Sequence, residues 1–162
     1  MVLNNAKNIM LGDTPVDKLY LGDELIWSRS NEIDVTSVLE GFGFQYDSTE
    51  KCWYGTLYGQ YGRTSRNGSV DMFAGLYDPT KSYAVKYEYM VYTHNAYFGF
   101  GVKYTGSSSN VDLSFEKSYN TYSTKISDYT DPAKTIQRFY WCSDIQGPYV
   151  KFKYIHLVPR EE

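Results

Sequence analysis

The stretch that decides the fold reads Tyr83-Ala84-Val85-Lys86-Tyr87-Glu88-Tyr89-Met90-Val91. Tyr and Val occupy every second position of it, whereas Lys86 and Glu88 fall on positions between them. Successive side chains of a β-strand point to opposite faces of a sheet. The alternation therefore predicts a strand with one buried aromatic face and one polar face.

The same two-residue period recurs through much of the chain after residue 30. No stretch shows helical periodicity beyond two turns, and only 34–40 or 132–136 can form a single helical turn. Many strands without helices favour an all-β fold, an antiparallel β-sandwich of jelly-roll-like arrangement, over residues 31–162. Further strands are predicted over 41–46, 53–60, 97–105, 111–116, 135–142 and 149–158.

One predicted strand, 97–105, carries glycine on its second face. Phe98 and Phe100 share one face, and Gly99 and Gly101 alternate with them. A glycine leaves its face of the sheet without a side chain, so another backbone or a ligand can approach closely. We expect one of the two at Gly99 and Gly101.

Residues 1–30 have a different sequence pattern from the rest of the chain, because short apolar triplets alternate there with turn residues. Leu11-Gly12-Asp13 recurs as Leu21-Gly22-Asp23, and each Gly-Asp marks a tight turn. The pattern predicts a β-hairpin module in which two turns join three short strands. So small a module cannot bury its own apolar side chains and must dock on a partner. The predicted docking residues are Leu11, Leu19, Tyr20, Leu21, Leu25 and Trp27.

Tyrosine dominates the composition. The chain of 162 residues contains 18 Tyr, 8 Phe and 3 Trp, an unusually high aromatic content. A tyrosine ring packs on apolar surface while its hydroxyl tolerates water, so the excess suits both sheet packing and binding surfaces. The length is sufficient for one sizeable core.

Charge and hydropathy argue against two classes of partner. The net charge is -3, and no cluster of Lys and Arg is present to neutralise phosphates, so nucleic-acid binding is not expected. No apolar run approaches the roughly 20 residues that span a bilayer, and no signal-peptide core follows Met1. We therefore expect no membrane insertion, and first folding in a cytoplasm.

The sequence offers no pattern typical of a metal or cofactor site. His94 and His156 are far apart and lack metal-ligand spacing. Cys52 and Cys142 have no metal-ligand neighbours and are expected to be buried thiols, since a disulfide is disfavoured in a cytosolic protein. We expect neither a metal nor a cofactor.

Familiar catalytic motifs are missing from the sequence as well. The esterase elbow, the phosphate-binding loop and the dinucleotide fingerprint do not occur. Glu88 with Asp112 or Glu116 would suit glycoside cleavage, although exposed carboxylates on strands usually only solvate a face. The chain is predicted not to be an enzyme, with a glycan-cleaving enzyme as the remaining catalytic alternative.

Two segments have the composition of a carbohydrate-binding surface. Residues 53–63 and 92–97 combine aromatic rings with polar side chains. Aromatic rings stack on the apolar faces of sugars, and Asn, Gln, Asp and Arg hold sugar hydroxyl groups. The predicted glycan-binding residues are Tyr58, Tyr61, Arg63 and His94. Aromatic packing and ordinary turns are the competing interpretation at each position.

The start of the chain contains Ile9-Met10-Leu11-Gly12-Asp13-Thr14-Pro15-Val16 and then Lys18-Leu19-Tyr20-Leu21-Gly22-Asp23-Glu24-Leu25-Ile26-Trp27. Together these strings resemble a short attachment module found at the ends of bacteriophage structural proteins. More loosely, Trp53-Tyr54-Gly55 and the closing strand 150–158 resemble carbohydrate-binding jelly-roll domains. The first resemblance implies a virion protein of the tail, baseplate or capsid surface, assembled in the host cytoplasm.

These observations lead to one functional expectation. The chain is expected to be a phage virion structural protein, a homo-oligomer attached by residues 1–30 to other virion proteins. Its β-sandwich would face outward, either to decorate the particle or to adhere to a host cell-surface glycan. The alternative is a bacterial carbohydrate-binding module or lectin.

Overall fold

The structure, a computed structural model, describes residues 9–16, 18–28, 31–56, 70–92, 95–144 and 147–161, with the backbone alone at 15 and 25–28. The chain divides into two compact units, Met1–Asn31 and Glu32–Glu162. Two antiparallel sheets pack against each other, which confirms the predicted all-β sandwich. The jelly-roll arrangement of the connections stays a prediction.

The first unit consists of two short hairpins. Gly12 and Gly22 each begin a two-residue turn and each has a φ of +63°. Glycine adopts this left-handed conformation without strain, as the first residue of a type II′ hairpin turn requires. The described part of this unit contains four strands where the sequence predicted three: β1 (Ile9–Leu11), β2 (Thr14–Val16), β3 (Lys18–Leu21) and β4 (Glu24–Ser28).

The second unit holds the two sheets of the sandwich. Its elements in chain order are β5 (Ile33–Asp34), α1 (Val38–Gly41), β6 (Gln45–Asp47), β7 (Cys52–Thr56), β8 (Tyr83–Val91), β9 (Ala96–Tyr104), β10 (Asn110–Asp112), β11 (Glu116–Ser118), β12 (Ser123–Ile126), β13 (Ile136–Ser143) and β14 (Tyr149–Pro159). The six-stranded sheet has the order β12-β8-β14-β7-β6, and β5 also pairs with β14. In the four-stranded sheet, β9 pairs with β10, β11 and β13.

The predicted strand over 41–46 is wrong in its first half. Residues Val38–Gly41 form a helical turn that overlaps the 34–40 region where one was expected, and β6 starts only at Gln45. The Phe42 N–H donates to the Leu39 carbonyl at 3.1 Å, which closes the turn. This hydrogen bond holds the backbone in a turn geometry and so prevents an extended strand there.

The predicted strand over 111–116 is also wrong as a continuous element. β10 ends at Asp112 and β11 begins at Glu116. Between them the register on β9 shifts by one residue, and the Ser114 side-chain oxygen accepts a hydrogen bond from the Phe100 N–H at 3.0 Å. The Leu113 and Ser114 N–H groups both donate to the Phe100 carbonyl, at 2.9 and 3.0 Å, so the chain bulges here and then continues along the same edge of β9.

The core between the sheets is built largely from aromatic rings. Tyr87 meets Phe100 edge to face with 4.8 Å between ring centroids, and Phe98 meets Phe152 at 5.5 Å. Tilted and edge-to-face pairs are the favoured arrangements of aromatic rings. The alternation that decides the fold is confirmed, because the buried residues of β8 on this side are Tyr83, Val85, Tyr87, Tyr89 and Val91.

Gly99 and Gly101 lie where other parts of the chain approach the second sheet closely. A Cβ at Gly99 would lie 1.7 Å from the Ser114 carbonyl oxygen, and one at Gly101 would lie 2.2 Å from the Tyr140 ring. Tyr140 is fully buried, and its hydroxyl donates to Asp112 at 3.3 Å. The predicted close approach of another backbone is confirmed at Gly99, whereas at Gly101 it is the Tyr140 side chain that approaches.

Candidate functional site

Three tyrosines from three neighbouring strands meet at one end of the six-stranded sheet, on the face away from the core. Tyr54 lies on β7, Tyr149 begins β14, and Tyr92 directly follows β8. Tyr149 pairs with Thr56, and the Tyr92 N–H donates to the Tyr149 carbonyl at 2.8 Å. Because opposed residues of adjacent strands share a face, the three rings lie together. We call them the tyrosine patch.

The tyrosine patch is an accessible aromatic surface. The Tyr149 ring centroid lies 6.1 Å from that of Tyr54 and 5.8 Å from that of Tyr92. Tyr92 is 50% exposed, and the other two tyrosines are half-buried. The ring planes are inclined by 36° and 59°. The patch therefore offers a twisted row of rings on which a ligand with flat apolar faces can stack.

Polar side chains border the patch along β6 and β14. The Tyr54 hydroxyl donates to the Gln45 amide oxygen at 2.8 Å. The Lys151 ammonium lies 2.7 Å from a Glu50 carboxylate oxygen and 5.1 Å from the centre of the Tyr92 ring. An ammonium over an aromatic ring is attracted by the ring's negative face. Lys151 is therefore fixed between a carboxylate and one ring of the patch.

The turn between β6 and β7 sets the position of Glu50. The Asp47 carboxylate accepts hydrogen bonds from the backbone N–H groups of Thr49 at 2.8 Å and Glu50 at 3.0 Å. These hydrogen bonds, Glu50's first, hold the pKa of Asp47 below its ordinary value. An Asp that bonds the backbone ahead of it in this way is typical of tight turns. The turn thus aims Glu50 at Lys151.

The protonation states of the site are set by burial and by the ion pair. Burial, followed by the neighbouring Tyr54, raises the pKa of Tyr149, so its hydroxyl stays protonated at neutral pH. The hydrogen bond to Glu50 raises the pKa of Lys151. The site therefore presents the neutral Tyr149 phenol, an amide and a compensated ion pair, all of which form hydrogen bonds to hydroxyl groups.

The four predicted glycan-binding residues lie outside the described residues. Tyr58, Tyr61 and Arg63 belong to the segment after β7, and His94 belongs to the segment after Tyr92. Their part in binding stays a prediction. In sequence, Tyr58 and His94 stand four and two residues beyond patch members Tyr54 and Tyr92.

The predicted docking residues of the first unit are exposed where the structure describes their side chains. Leu11 is 78% exposed, Leu21 is 72% exposed and Tyr20 is 53% exposed, whereas Leu19 is half-buried. Leu25 and Trp27 lie on β4, and their side chains are outside the described part. An exposed set of large apolar side chains is typical of a contact surface.

The structure describes both cysteines, His156 and the three carboxylates considered for catalysis, whereas His94 lies outside the described residues. Both cysteines are buried and neither forms a disulfide, which confirms the expectation of buried thiols. Glu88 lies on the six-stranded sheet, whereas Asp112 and Glu116 lie on strands of the other sheet. Within the described ranges, no three His, Cys, Asp or Glu side chains are grouped so that they could hold a metal ion.

None of the described helices has the length and apolar character that a membrane crossing requires.

Comparison with known proteins gives no relative. No protein-family model, curated protein or solved structure matches this chain. The function must therefore be argued from the geometry of the chain itself.

Tyr149 is the member of the patch that sequence reasoning missed. Tyr54 and Tyr92 fall inside the two segments whose composition indicates a carbohydrate surface, but Tyr149 follows a Gly-Pro turn far along the chain. The available signal was its position as the first residue of the closing strand. Only the pairing of β14 with β7 and β8 reveals that it joins the other two rings.

Proposed function

We propose that the β-sandwich binds carbohydrate at the tyrosine patch, and that the first unit attaches it to a larger particle such as a bacteriophage virion. The observation that carries the proposal is the gathering of Tyr54, Tyr92 and Tyr149 on one solvent-facing sheet surface. Rings in the core stabilise the fold, but an accessible row of them adds surface suited to a ligand.

The chemistry of the patch suits a sugar better than other common ligands. A pyranose has a flat face of C–H groups that stacks on a ring, and a rim of hydroxyl groups that needs both donors and acceptors. Gln45 and the pair of Glu50 with Lys151 supply both at the edge of the rings. A phosphate-rich ligand would require uncompensated cations, whereas Lys151 is paired.

Two features support the attachment role of the first unit. Leu11 and Leu21 are among its most exposed apolar side chains, and each directly precedes a turn glycine. The same strings carry the resemblance to attachment modules of phage structural proteins. A partner that covers these leucines would bury apolar surface at about 25 cal/mol per Å².

Replacing the central ring of the patch tests the binding function. We expect Tyr149→Ala to weaken binding to soluble β-linked glucans and chitin fragments about five- to tenfold, because one aromatic contact contributes about 1 kcal/mol. Affinity electrophoresis of the full chain in gels that contain each polysaccharide measures the change.

Tyr129→Ala is the matched control, because Tyr129 is 42% exposed and adjoins Thr130, whose N–H bonds Tyr83 at the opposite end of β8. The control should migrate as the unmodified chain does. Equal retardation of all three proteins, or retardation of none, would rule out the patch as a binding site for these sugars.

A further inference from the structure

We infer that the binding site continues from the tyrosine patch along β14 to a second ring surface, and that the whole face holds an extended, uncharged polysaccharide chain. This extension rests on the proposed function and names its ligand class. It depends on three observations: the position of a second aromatic pair, its immobilisation, and the charge compensation of the face between the two.

The second aromatic pair consists of Tyr154 and His156. Both lie on β14, and their ring centroids are 4.7 Å apart with an angle of 35° between the planes. Tyr154 pairs with Glu88 and His156 with Lys86, which places both on the face that Lys151 shares. At about 3.3 Å per residue, the strand from Tyr149 to His156 spans roughly 20 Å. That length fits several sugar units, not one.

Charged neighbours hold the second pair in place. His156 Nδ1 lies 2.7 Å from one Glu32 carboxylate oxygen, and Lys86 Nζ lies 2.8 Å from the other. His156 Nε2 is 3.9 Å from Asp34 on β5. Two-sided contacts fix the plane of the imidazole ring, and a ring that is already ordered loses little entropy when a ligand binds.

A further ring, that of Tyr122, lies between the tyrosine patch and the second aromatic pair. The Lys153 ammonium is 4.5 Å from the centre of the Tyr122 ring and 3.4 Å from Glu88. Tyr122 directly precedes β12, which pairs with β8, and the tyrosine is half-buried. Aromatic surface is therefore present at the start, the middle and the end of the same face.

Each described cation of this face is compensated by a carboxylate. Lys151 pairs with Glu50 at 2.7 Å, Lys153 with Glu88 at 3.4 Å, and Lys86 with Glu32 at 2.8 Å. Burial alone would raise the pKa of Glu32, but its hydrogen bonds to Lys86 and His156 and their charges outweigh burial and lower it. Glu32 therefore stays ionised at neutral pH.

This charge pattern selects an uncharged ligand. The charge of a paired ammonium is cancelled by its carboxylate, so the pair attracts an acidic polymer only weakly. Each carboxylate would also repel the negative charges of such a polymer. The same pairs retain hydrogen-bonding atoms toward solvent, since Glu50 and Lys153 keep 46% and 40% of their side-chain surface exposed. Hydroxyl groups of a neutral chain can use these atoms without breaking the pairs.

Dependence of affinity on chain length tests the extension. The full chain is titrated by calorimetry with β-1,4-linked glucose and N-acetylglucosamine oligomers of two, four and six units. We expect affinity to rise at least about tenfold from two units to six, since the longer chain reaches additional rings. Tyr154→Ala should abolish most of that rise and leave binding of the two-unit sugar within about twofold.

Two further variants and one further ligand separate the outcomes. Tyr149→Ala should weaken binding of short and long oligomers alike, Tyr129→Ala should weaken neither, and a six-unit β-1,4-glucuronic acid oligomer should bind less tightly than its glucose counterpart. Affinity independent of length, an equal effect of Tyr154→Ala on all lengths, or preference for the acidic oligomer overturns the extension while the patch still binds sugar. Absence of binding to either series by the unmodified chain overturns the proposed function as well.

Discussion

Gly99→Ala is expected to destabilise the protein by about 3 kcal/mol or more, because a methyl group has no room there. The added Cβ would lie 1.7 Å from the Ser114 carbonyl oxygen and 2.4 Å from its carbonyl carbon. These are backbone atoms of the bulge between β10 and β11, and they cannot rotate away as a side chain can. Chemical denaturation followed by tryptophan fluorescence measures the loss.

Gly41→Ala is the matched control for this substitution. Gly41 ends α1, its φ is not in the left-handed region, and no heavy atom lies within 4 Å of the position that a Cβ would occupy. The free energy of unfolding of the Gly41→Ala variant should stay within about 0.5 kcal/mol of that of the parent chain. Similar stability of the two variants would show that the Ser114 backbone does not lie against Gly99.

Phe98→Ala should cost about 3–5 kcal/mol, because it removes a fully buried ring from the junction of the two sheets. The Phe98 ring on β9 lies 5.3 Å from that of Tyr89 and 5.5 Å from that of Phe152, both in the other sheet. The substitution therefore leaves a cavity between sheets, where neighbours from two separate ladders cannot collapse to fill it.

Tyr119→Ala serves as the comparison for Phe98→Ala. Tyr119 is 53% exposed, and truncation of an exposed side chain changes stability by about 0.5 kcal/mol or less. Both variants are measured by thermal and denaturant unfolding. Equal stability of the two would contradict a core formed by rings from both sheets.

Strand positions were predictable from sequence where one face of the strand is buried. The alternation over Tyr83–Val91 matches β8 along its whole length, and the closing strand predicted over 149–158 is observed as Tyr149–Pro159. Burial of every second side chain leaves a direct trace in the sequence. The same reasoning anticipated close approach at Gly99 and Gly101, since a missing side chain on a sheet face leaves space for another group.

The predictions made from the sequence fail where contacts between residues distant in sequence decide the local structure. Residues 111–116 alternate as a strand should, yet a bulge interrupts their pairing with β9, where the Ser114 hydroxyl accepts a hydrogen bond from the Phe100 N–H. The tyrosine patch is of the same kind, because Tyr54, Tyr92 and Tyr149 come from strands whose order in the sheet is not encoded in any local pattern. Composition indicated the surface, but only strand pairing assembled it.

The second ring surface, formed by Tyr154 and His156, could not be predicted from the sequence for a related reason. A β-bulge lies between Phe152 and Tyr154 in the pairing of β14 with β8. The bulge shifts the alternation by one residue, so that Ile155 and Leu157 face the core and His156 faces outward. Without the bulge, a strict two-residue period would place His156 on the same face as Phe152.

The most direct test of carbohydrate binding by this sheet is a crystal structure of the full chain with a bound six-unit β-1,4-linked glucose or N-acetylglucosamine oligomer. The account predicts density for sugar rings stacked on Tyr149 and its two neighbours, continuing along β14 toward Tyr154. Density confined to another place, such as the groove lined by Lys81, Pro132 and Arg160, would contradict it.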